Sequence, residues 1–354
     1  MWIQTAASER MALAEFMQQA HSDSFYSAVQ QTILEWQSQD YISFQSSGST
    51  GAPKLLSFHK KLIAQSAKAT IEYLAIRASS PVFLVTLHPR YTGGRMMVLR
   101  ALIQNANMLL VPPTAKWLDL LPSNMPQIDL CALTPLQIHA LLDAPLPIQL
   151  KFKNLLVGGA GLNASTIAKL KLAPFRAFET FGMTETISHF ALKQIGVDAH
   201  FVPLPGYLIR LDSRQCIEVS GPTTNGEWLT TNDMATLYAD NTFDWLGRID
   251  FVVNSGGVKL HPEALENSIK DILNAEKLDL IFALTSMPDE HFGEKLVMVY
   301  EQDTAIADMQ ALLTMLKKQL PAYAAPKKLI PILKLPLTPS GKTDRKSLKQ
   351  MLMQ

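Results

Sequence analysis

The chain has 354 residues, 47% hydrophobic and 18% charged, with 32 Lys and Arg against 31 Asp and Glu. That length leaves room for a sizeable core and more than one domain, and the composition excludes an intrinsically disordered chain. The balance of charge excludes a basic surface for nucleic acid or anionic membrane, and no apolar run approaches the roughly eighteen residues of a spanning helix.

The amino terminus, Met1-Trp2-Ile3-Gln4-Thr5, lacks the basic start and apolar stretch of a secretory signal. Cys131 and Cys216 lie far apart, with neither metal-ligand nor disulfide spacing. The expectation is a soluble protein of the reducing cytoplasm, without nucleic-acid partners or membrane insertion.

Gln45 to Lys54 reads QSSGSTGAPK, opening before a helical pattern in which Ile63, Ala67, Ile71 and Leu74 share one face. Glycine permits close backbone approach, so amides from Ser46, Ser47, Gly48, Ser49, Thr50 and Gly51 can converge on phosphate oxygens. The hydroxyls of Ser46, Ser47, Ser49 and Thr50 add donors, and Lys54 can cap the charge. The Walker pattern cannot be laid on these residues, which argues against a P-loop ATPase. Taken alone, such a run is more often a plain surface turn.

Pro81 to Leu87, Asn107 to Pro112, Phe152 to Gly159 and Phe175 to Gly182 read as buried strands. Helical patterns alternate with them, Leu136, Ile138, Leu141 and Leu142 forming a less regular face. The pattern predicts a layered α/β domain with a largely parallel sheet. After Pro205 come short strands with turn signals, Tyr207 to Ser220 broken at Asp212-Ser213-Arg214 and Leu237 to Trp245 broken at Asp240-Asn241, which predict an antiparallel β subdomain. From Phe251 follow a hairpin (FVVNSGGVKL), a helix starting near Pro262, two strands (LDLIFALT and KLVMVYE), a helix from Met309 to Leu320 and a strand near Leu329. That inventory suits a small separate α+β domain. The expected division is 1–246, a hinge at 247–251, and 252–354.

The string SSGSTGAPK resembles the phosphate-binding motif of the adenylate-forming superfamily, which contains acyl-CoA synthetases, peptide-synthetase adenylation domains and firefly luciferase. Further resemblances follow in the family's order. LLVGGAG (155–161) is similar to its strand and turn beside the adenine, and TFGMTET (180–186) to its aromatic-Gly-x-Thr-Glu motif. WLTTND (228–233), LGRIDFVVNSGGVKLHP (246–262) and PLTPSGKTDR (336–345) complete the series.

The resemblance implies ATP- and Mg2+-dependent activation of a carboxylic acid as acyl-AMP, then transfer to a thiol, that of coenzyme A. Such chemistry needs an in-line attack on the α-phosphorus while charge builds on nonbridging oxygens and pyrophosphate, so positioning and electrostatics must supply most of the rate. Glu185 is a hard carboxylate suited to magnesium, with Thr184 donating to the α-phosphate. The resemblance further implies that Thr180, Phe181 and Gly182, with Gly159, Ala160 and Gly161, line the adenine; Phe181 reads equally well as a core aromatic. Asp233 would accept the ribose hydroxyls, Arg248 would contact the ribose, and Asp250 matches the hinge. Lys342, in Pro339-Ser340-Gly341-Lys342, would bring its ammonium group to the carboxylate and α-phosphate. After adenylation the small domain would rotate, withdrawing Lys342 and bringing Ser255, Gly256 and Gly257 to line a thiol tunnel. Two departures stand out: Asn232 where relatives usually have Gly, and Phe251 where they usually have an acid.

The phosphate motif begins early in the chain, which implies a compact variant of the family. HPRYTGGRMMVLRA (88–101) and NSGGVKLHPEALE (254–266) look like bacterial o-succinylbenzoate:CoA ligases of menaquinone synthesis. A dicarboxylate acid needs a cation for its second carboxylate, and Arg95, His88 or His189 can supply one, although each also reads as structural. The competing readings are another acyl- or aryl-CoA synthetase, an enzyme loading a carrier protein, and a noncatalytic nucleotide-binding relative. The presence of both Glu185 and Lys342 argues against the last.

Overall fold

A computed structural model describes residues 1–6, 9–45, 55–158, 162–303, 306, 308–338 and 343–352. In chain order the first part runs β1 (Trp2–Thr5), β2 (Met11–Ala12), α1 (Leu13–Gln18), α2 (Ser24–Ser38), β3 (Tyr41–Gln45), β4 (Leu55–His59), α3 (Lys60–Tyr73), β5 (Val82–Val85), α4 (Thr92–Ile103) and β6 (Asn107–Leu110). It continues through β7 (Leu130–Leu133), α5 (Pro135–Asp143), α6 (Leu146–Gln149), β8 (Asn154–Val157), α7 (Ala164–Lys171), β9 (Arg176–Gly182), β10 (His189–Gln194) and β11 (Val202–Pro203). Nine of these strands form one sheet in the order β11-β10-β9-β8-β7-β5-β6-β1-β2. Pairing is parallel from β9 across to β1, and antiparallel toward both edges.

The strands β5 to β8 are buried along their whole length, as expected of a sheet covered on both faces. Successive side chains of β5 feed different cores, Phe83 and Val85 one and Val82 and Leu84 the other. On α3 the predicted face of Ile63, Ala67, Ile71 and Leu74 is buried. On α5, Ile138 and Leu141 are buried but Leu136 is 66% exposed. A capping box starts that helix: Thr134 Oγ1 accepts from the Gln137 N–H at 3.3 Å and Gln137 Oε1 from the Thr134 N–H at 3.0 Å. One expectation changes. The residues after QSSGSTGAPK form β4, which pairs with β3 before α3 begins, so a hairpin rather than a helix flanks that run.

A second sheet is antiparallel, built from β12 (Leu208–Leu211), β13 (Cys216–Ser220), β14 (Leu229–Leu237) and β15 (Phe243–Arg248) in that order. The chain ends with β16 (Val253–Ser255), β17 (Val258–Leu260), α8 (Pro262–Ala275), β18 (Phe282–Asp289), β19 (Gly293–Glu301), α9 (Met309–Gln319), β20 (Lys328–Ile332) and α10 (Arg345–Met351). Their sheet runs β17-β16-β19-β18, with β20 parallel to β19. Two hydrophobic clusters here consist only of residues from Val253 onward. The strand expected from Leu278 starts at Phe282 instead. Lys277 adopts φ +57° and the Leu278 N–H bonds the Leu273 carbonyl at 2.8 Å, so Leu278 closes the end of α8. Among the described residues no helix is long and apolar enough to cross a membrane.

Replacing Thr134 with Ala removes one half of the capping box and is expected to cost about 1 kcal/mol. Urea unfolding followed by circular dichroism checks this; an unchanged midpoint contradicts it.

Candidate active site

Open α/β sheets bind ligands beyond the carboxyl ends of their parallel strands. Here β9 carries Thr180, Phe181 and Gly182 past its pairing with β8 and into a single 3-10 turn, Thr184–Thr186. Thr180 Oγ1 donates to the Val157 carbonyl at 3.0 Å, and a Cβ on Gly158 would stand 2.9 Å from that hydroxyl. At residue 182 only glycine fits, because a Cβ would meet the Ser188 carbonyl oxygen at 2.3 Å and His189 Cα at 2.4 Å. Buried Thr186 closes the turn, its Oγ1 accepting from the Met183 N–H at 3.1 Å and donating to the Ser188 carbonyl at 2.7 Å. Ile187 leaves with φ +67°. A β-branched side chain resists that conformation at a cost of about 1–3 kcal/mol.

This reversal leaves Thr184 half-buried and Glu185 exposed. Thr184 Oγ1 lies 3.5 Å from Thr92 Oγ1 in the first turn of α4. Gly94 seats that turn, since a Cβ there would stand 2.3 Å from the Leu87 carbonyl oxygen.

On the other side Phe181 packs among Phe190, Phe201, Phe243 and Trp245, with ring centroids 5.2 to 6.3 Å away. Trp245 Nε1 donates to Asp233 Oδ1 at 2.9 Å, and Asp233 faces Arg248 across the β14–β15 pair. Arg248 Nε reaches Asp250 Oδ2 at 3.0 Å. Asn232 Nδ2 donates to Asp250 Oδ1 at 3.2 Å, so its amide braces that carboxylate. Trp245, which sequence reasoning missed, thus links Phe181 on β9 to Asp233, which faces Arg248, and Arg248 pairs with Asp250. Ser255, Gly256 and Gly257 form the β16–β17 turn, the two glycines at φ +59° and +83°, as a two-residue hairpin turn demands. Nothing lies within 4 Å of a Cβ placed on Gly257. Ser46, Ser47, Gly48, Ser49, Thr50, Gly51, Lys54, Gly159, Ala160, Gly161 and Lys342 lie outside the described residues.

The AMP-binding enzyme family profile matches residues 7–219. The chain belongs to the AMP-binding enzyme family. It is 25% identical over 332 residues to 2-succinylbenzoate--CoA ligase of Staphylococcus epidermidis, covering 86% of this chain and 68% of that one. A 127-residue stretch, 35% of this chain, is 33% identical to the anguibactin system regulator of Vibrio anguillarum, only 12% of whose length is spanned. An acyl-CoA synthetase (AMP-forming)/AMP-acid ligase II-like protein of Dyadobacter fermentans superposes with a TM-score of 0.60 at 28% identity, covering 95% of this chain and 96% of that one. The fold is shared with O-succinylbenzoate coenzyme A synthetase of Bacillus subtilis in complex with ATP and magnesium ion, at a TM-score of 0.75 and 19% identity, covering 86% and 69%.

Within this AMP-binding fold the three expected cations are all engaged. Arg95 Nη1 pairs with Glu35 Oε2 at 2.9 Å and its Nε donates to the Pro89 carbonyl at 3.3 Å, bracing α2 against the turn before α4. His88 Nδ1 accepts from the Arg90 N–H at 3.1 Å, and burial and Arg90 push its pKa down. His189 is buried with Nε2 2.9 Å from Thr70 Oγ1; burial and then Arg100 hold its pKa well below the ordinary range, so the ring is neutral. Sequence reasoning passed over Arg100. It is 1% exposed on α4, donates from Nη2 to Ser188 Oγ at 3.2 Å, and leaves Nε without a hydrogen bond. Burial pulls its pKa down to about 10. No carboxylate pairs with it among the described residues. The signal was a lone charge inside the apolar run MMVLRAL.

No group of three His, Cys, Asp or Glu that could hold a metal occurs among the described residues. A single exposed carboxylate such as Glu185 suits magnesium that arrives with nucleotide phosphates supplying other ligands.

A neutral folded-state His189 binds fewer protons than its unfolded counterpart below about pH 6.5. Stability is therefore expected to fall from pH 7 toward pH 5, His189 adding up to about 1.4 kcal/mol per pH unit to the slope. Urea unfolding at both pH values should show a shallower dependence in His189→Asn; an identical slope would contradict a neutral buried imidazole.

Proposed function

We propose that the chain is an AMP-forming acid-thiol ligase that adenylates a carboxylic acid with ATP and Mg2+ and passes the acyl group to coenzyme A, with o-succinylbenzoate as its acid. The observation that carries the reading is the Gly182 reversal, which sets Thr184 against Thr92 and leaves Glu185 exposed at the carboxyl edge of the sheet while Trp245 ties Phe181 to Asp233.

In the first half-reaction a carboxylate oxygen attacks the α-phosphorus and pyrophosphate departs with the bond it breaks. Glu185 holds magnesium, whose charge offsets that of the phosphates; Thr184 donates to the α-phosphate; Asp233 accepts from the ribose hydroxyls, with Arg248 beside it. The amides of Ser46 to Gly51 and the ammonium of Lys54 receive the phosphates, Gly159 to Gly161 flank the adenine, and Lys342 offsets the charge on the attacking carboxylate and the oxygens of the α-phosphate. In the second half-reaction the thiol attacks the acyl carbonyl and AMP leaves. Residues 1–246 serve as the ATP- and acid-binding domain, 247–251 as hinge and 252–354 as the domain bearing Lys342 and the Ser255 to Gly257 tunnel. The separate clusters from Val253 onward support that division.

Two observations support o-succinylbenzoate. The Staphylococcus epidermidis ligase is similar over 86% of this chain. Arg100 is a buried cation lacking an anionic partner among the described residues, a costly arrangement that a second substrate carboxylate would relieve.

Purified protein given ATP, Mg2+ and a panel of carboxylates, with and without coenzyme A, tests the reading through pyrophosphate release and thioester formation. Lys342→Ala is expected to abolish adenylation while ATP still binds. Arg100→Leu is expected to lose roughly 30-fold or more in kcat/KM for o-succinylbenzoate but little for benzoate. Acyl-AMP that coenzyme A never consumes defeats the thiol assignment, and equal losses on both acids defeat the role of Arg100.

A further inference from the structure

Where α8 packs on β15, a carboxylate touches the chain at the hinge proposed above. Gly247 has φ +131°, and a Cβ there would stand 2.5 Å from Glu263 Oε2 and 3.1 Å from its Cδ. Glu263 lies in the first turn of α8 with its side chain 11% exposed. Its Oε1 is 3.4 Å from Arg345 Nε, while Oε2 is buried without a well-formed hydrogen bond. Burial raises the Glu263 pKa although Arg345 and the Arg248 backbone N–H pull it down, with Glu266 adding a like charge.

Arg345 does not depend on Glu263. Its guanidinium donates to the Leu284 carbonyl and to Glu266 Oε2, both at 2.8 Å, and stands 5.8 Å over the Phe251 ring. Phe251 is the residue found where relatives usually have an acid, so an aromatic covers a buried cation beside the hinge. Glu263, Glu266, Leu284 and Arg345 all follow the hinge in sequence and would travel together, whereas Gly247 and Arg248 lie at its start. Rotation therefore breaks the contact of Glu263 with Gly247 while Arg345 keeps Glu266. Water then reaches a carboxylate that was incompletely bonded before.

We infer that Glu263 is a release element: buried against Gly247 in this arrangement, it favours rotation of residues 252–354 away from β15 because rotation rehydrates it. The inference rests on the two-arrangement reading above. Glu263 is a positioning residue, and Gly247 is the close approach that lets the arrangement form at all.

Spin labels at Leu172→Cys and Tyr323→Cys, positions 88% and 56% exposed, report the arrangement in the full chain, Cys131 and Cys216 being buried. Pulsed electron-electron distance measurement should show Glu263→Leu raising the population at the distance of the present arrangement at least threefold. Glu263→Gln should move it the same way by less, and serves if the Leu variant does not fold. Gly247→Ala should move the population in the opposite direction. The ratio of the adenylation to the thioesterification rate should shift in opposite senses in Glu263→Leu and Gly247→Ala. A distribution unchanged by both Glu263 variants, or moved the same way by Glu263→Leu and Gly247→Ala, overturns the inference. If the wild type makes no acyl-AMP yet the distances respond as stated, the proposed activity fails and the release element stands.

Discussion

The reversal between β9 and β10 has no room for a side chain at residue 182, and the rest of the site depends on that constraint. Because Gly182 lies against the Ser188 carbonyl, the chain must turn within one 3-10 segment, and Thr186 ties that segment to both flanks. Thr184 and Glu185 are thereby held at the carboxyl edge of the sheet instead of on a loose loop. The conformation of Ile187 shows that the turn is imposed by its surroundings, since the residue itself opposes it. A hydroxyl and a carboxylate held this way need little reorganisation when charge develops beside them.

Arg100 and Glu263 each keep a buried side-chain atom without a hydrogen bond, and they differ in what satisfies the rest of the group. Arg100 sits in the buried run 96–101 of α4, bonded to Ser188 through Nη2, with Nε left without a hydrogen bond and no carboxylate partner among the described residues. Glu263 is paired on one oxygen and confined on the other, and so it disfavours one arrangement of the carboxyl-terminal segment. In each case the incompletely satisfied group is a cost that the proposed acid binding or the proposed rotation would relieve.

The central strands were legible in the sequence because β5, β6 and β8 are short, mainly apolar and bounded by turn residues, and the face of α3 was legible from its spacing. The helix α4 was not, since burial all round erases the amphipathic contrast that marks a helix. The strand β4 was hidden because none of its residues is buried and Leu55 is 71% exposed. Of the site, the Thr184-Glu185 turn could be anticipated from motif order, whereas the facing of Asp233 and Arg248 across β14 and β15 came only from the structure; the family profile bears out the membership the motifs implied. Trp245 could not be anticipated, because its significance lies in its contacts with Asp233 and Phe181, and Arg100 showed only as a lone charge in an apolar run, its bond to Ser188 spanning 88 residues.

The central claim is that the turn after Gly182 presents Glu185 to magnesium carried by ATP. Calorimetric titration of ATP into wild type and Glu185→Gln across a magnesium series tests it most directly, because Glu185 is exposed and its replacement disturbs no packing. The account predicts that the magnesium concentration giving half-maximal ATP binding rises at least about tenfold in the variant. The same magnesium dependence in both proteins would contradict it.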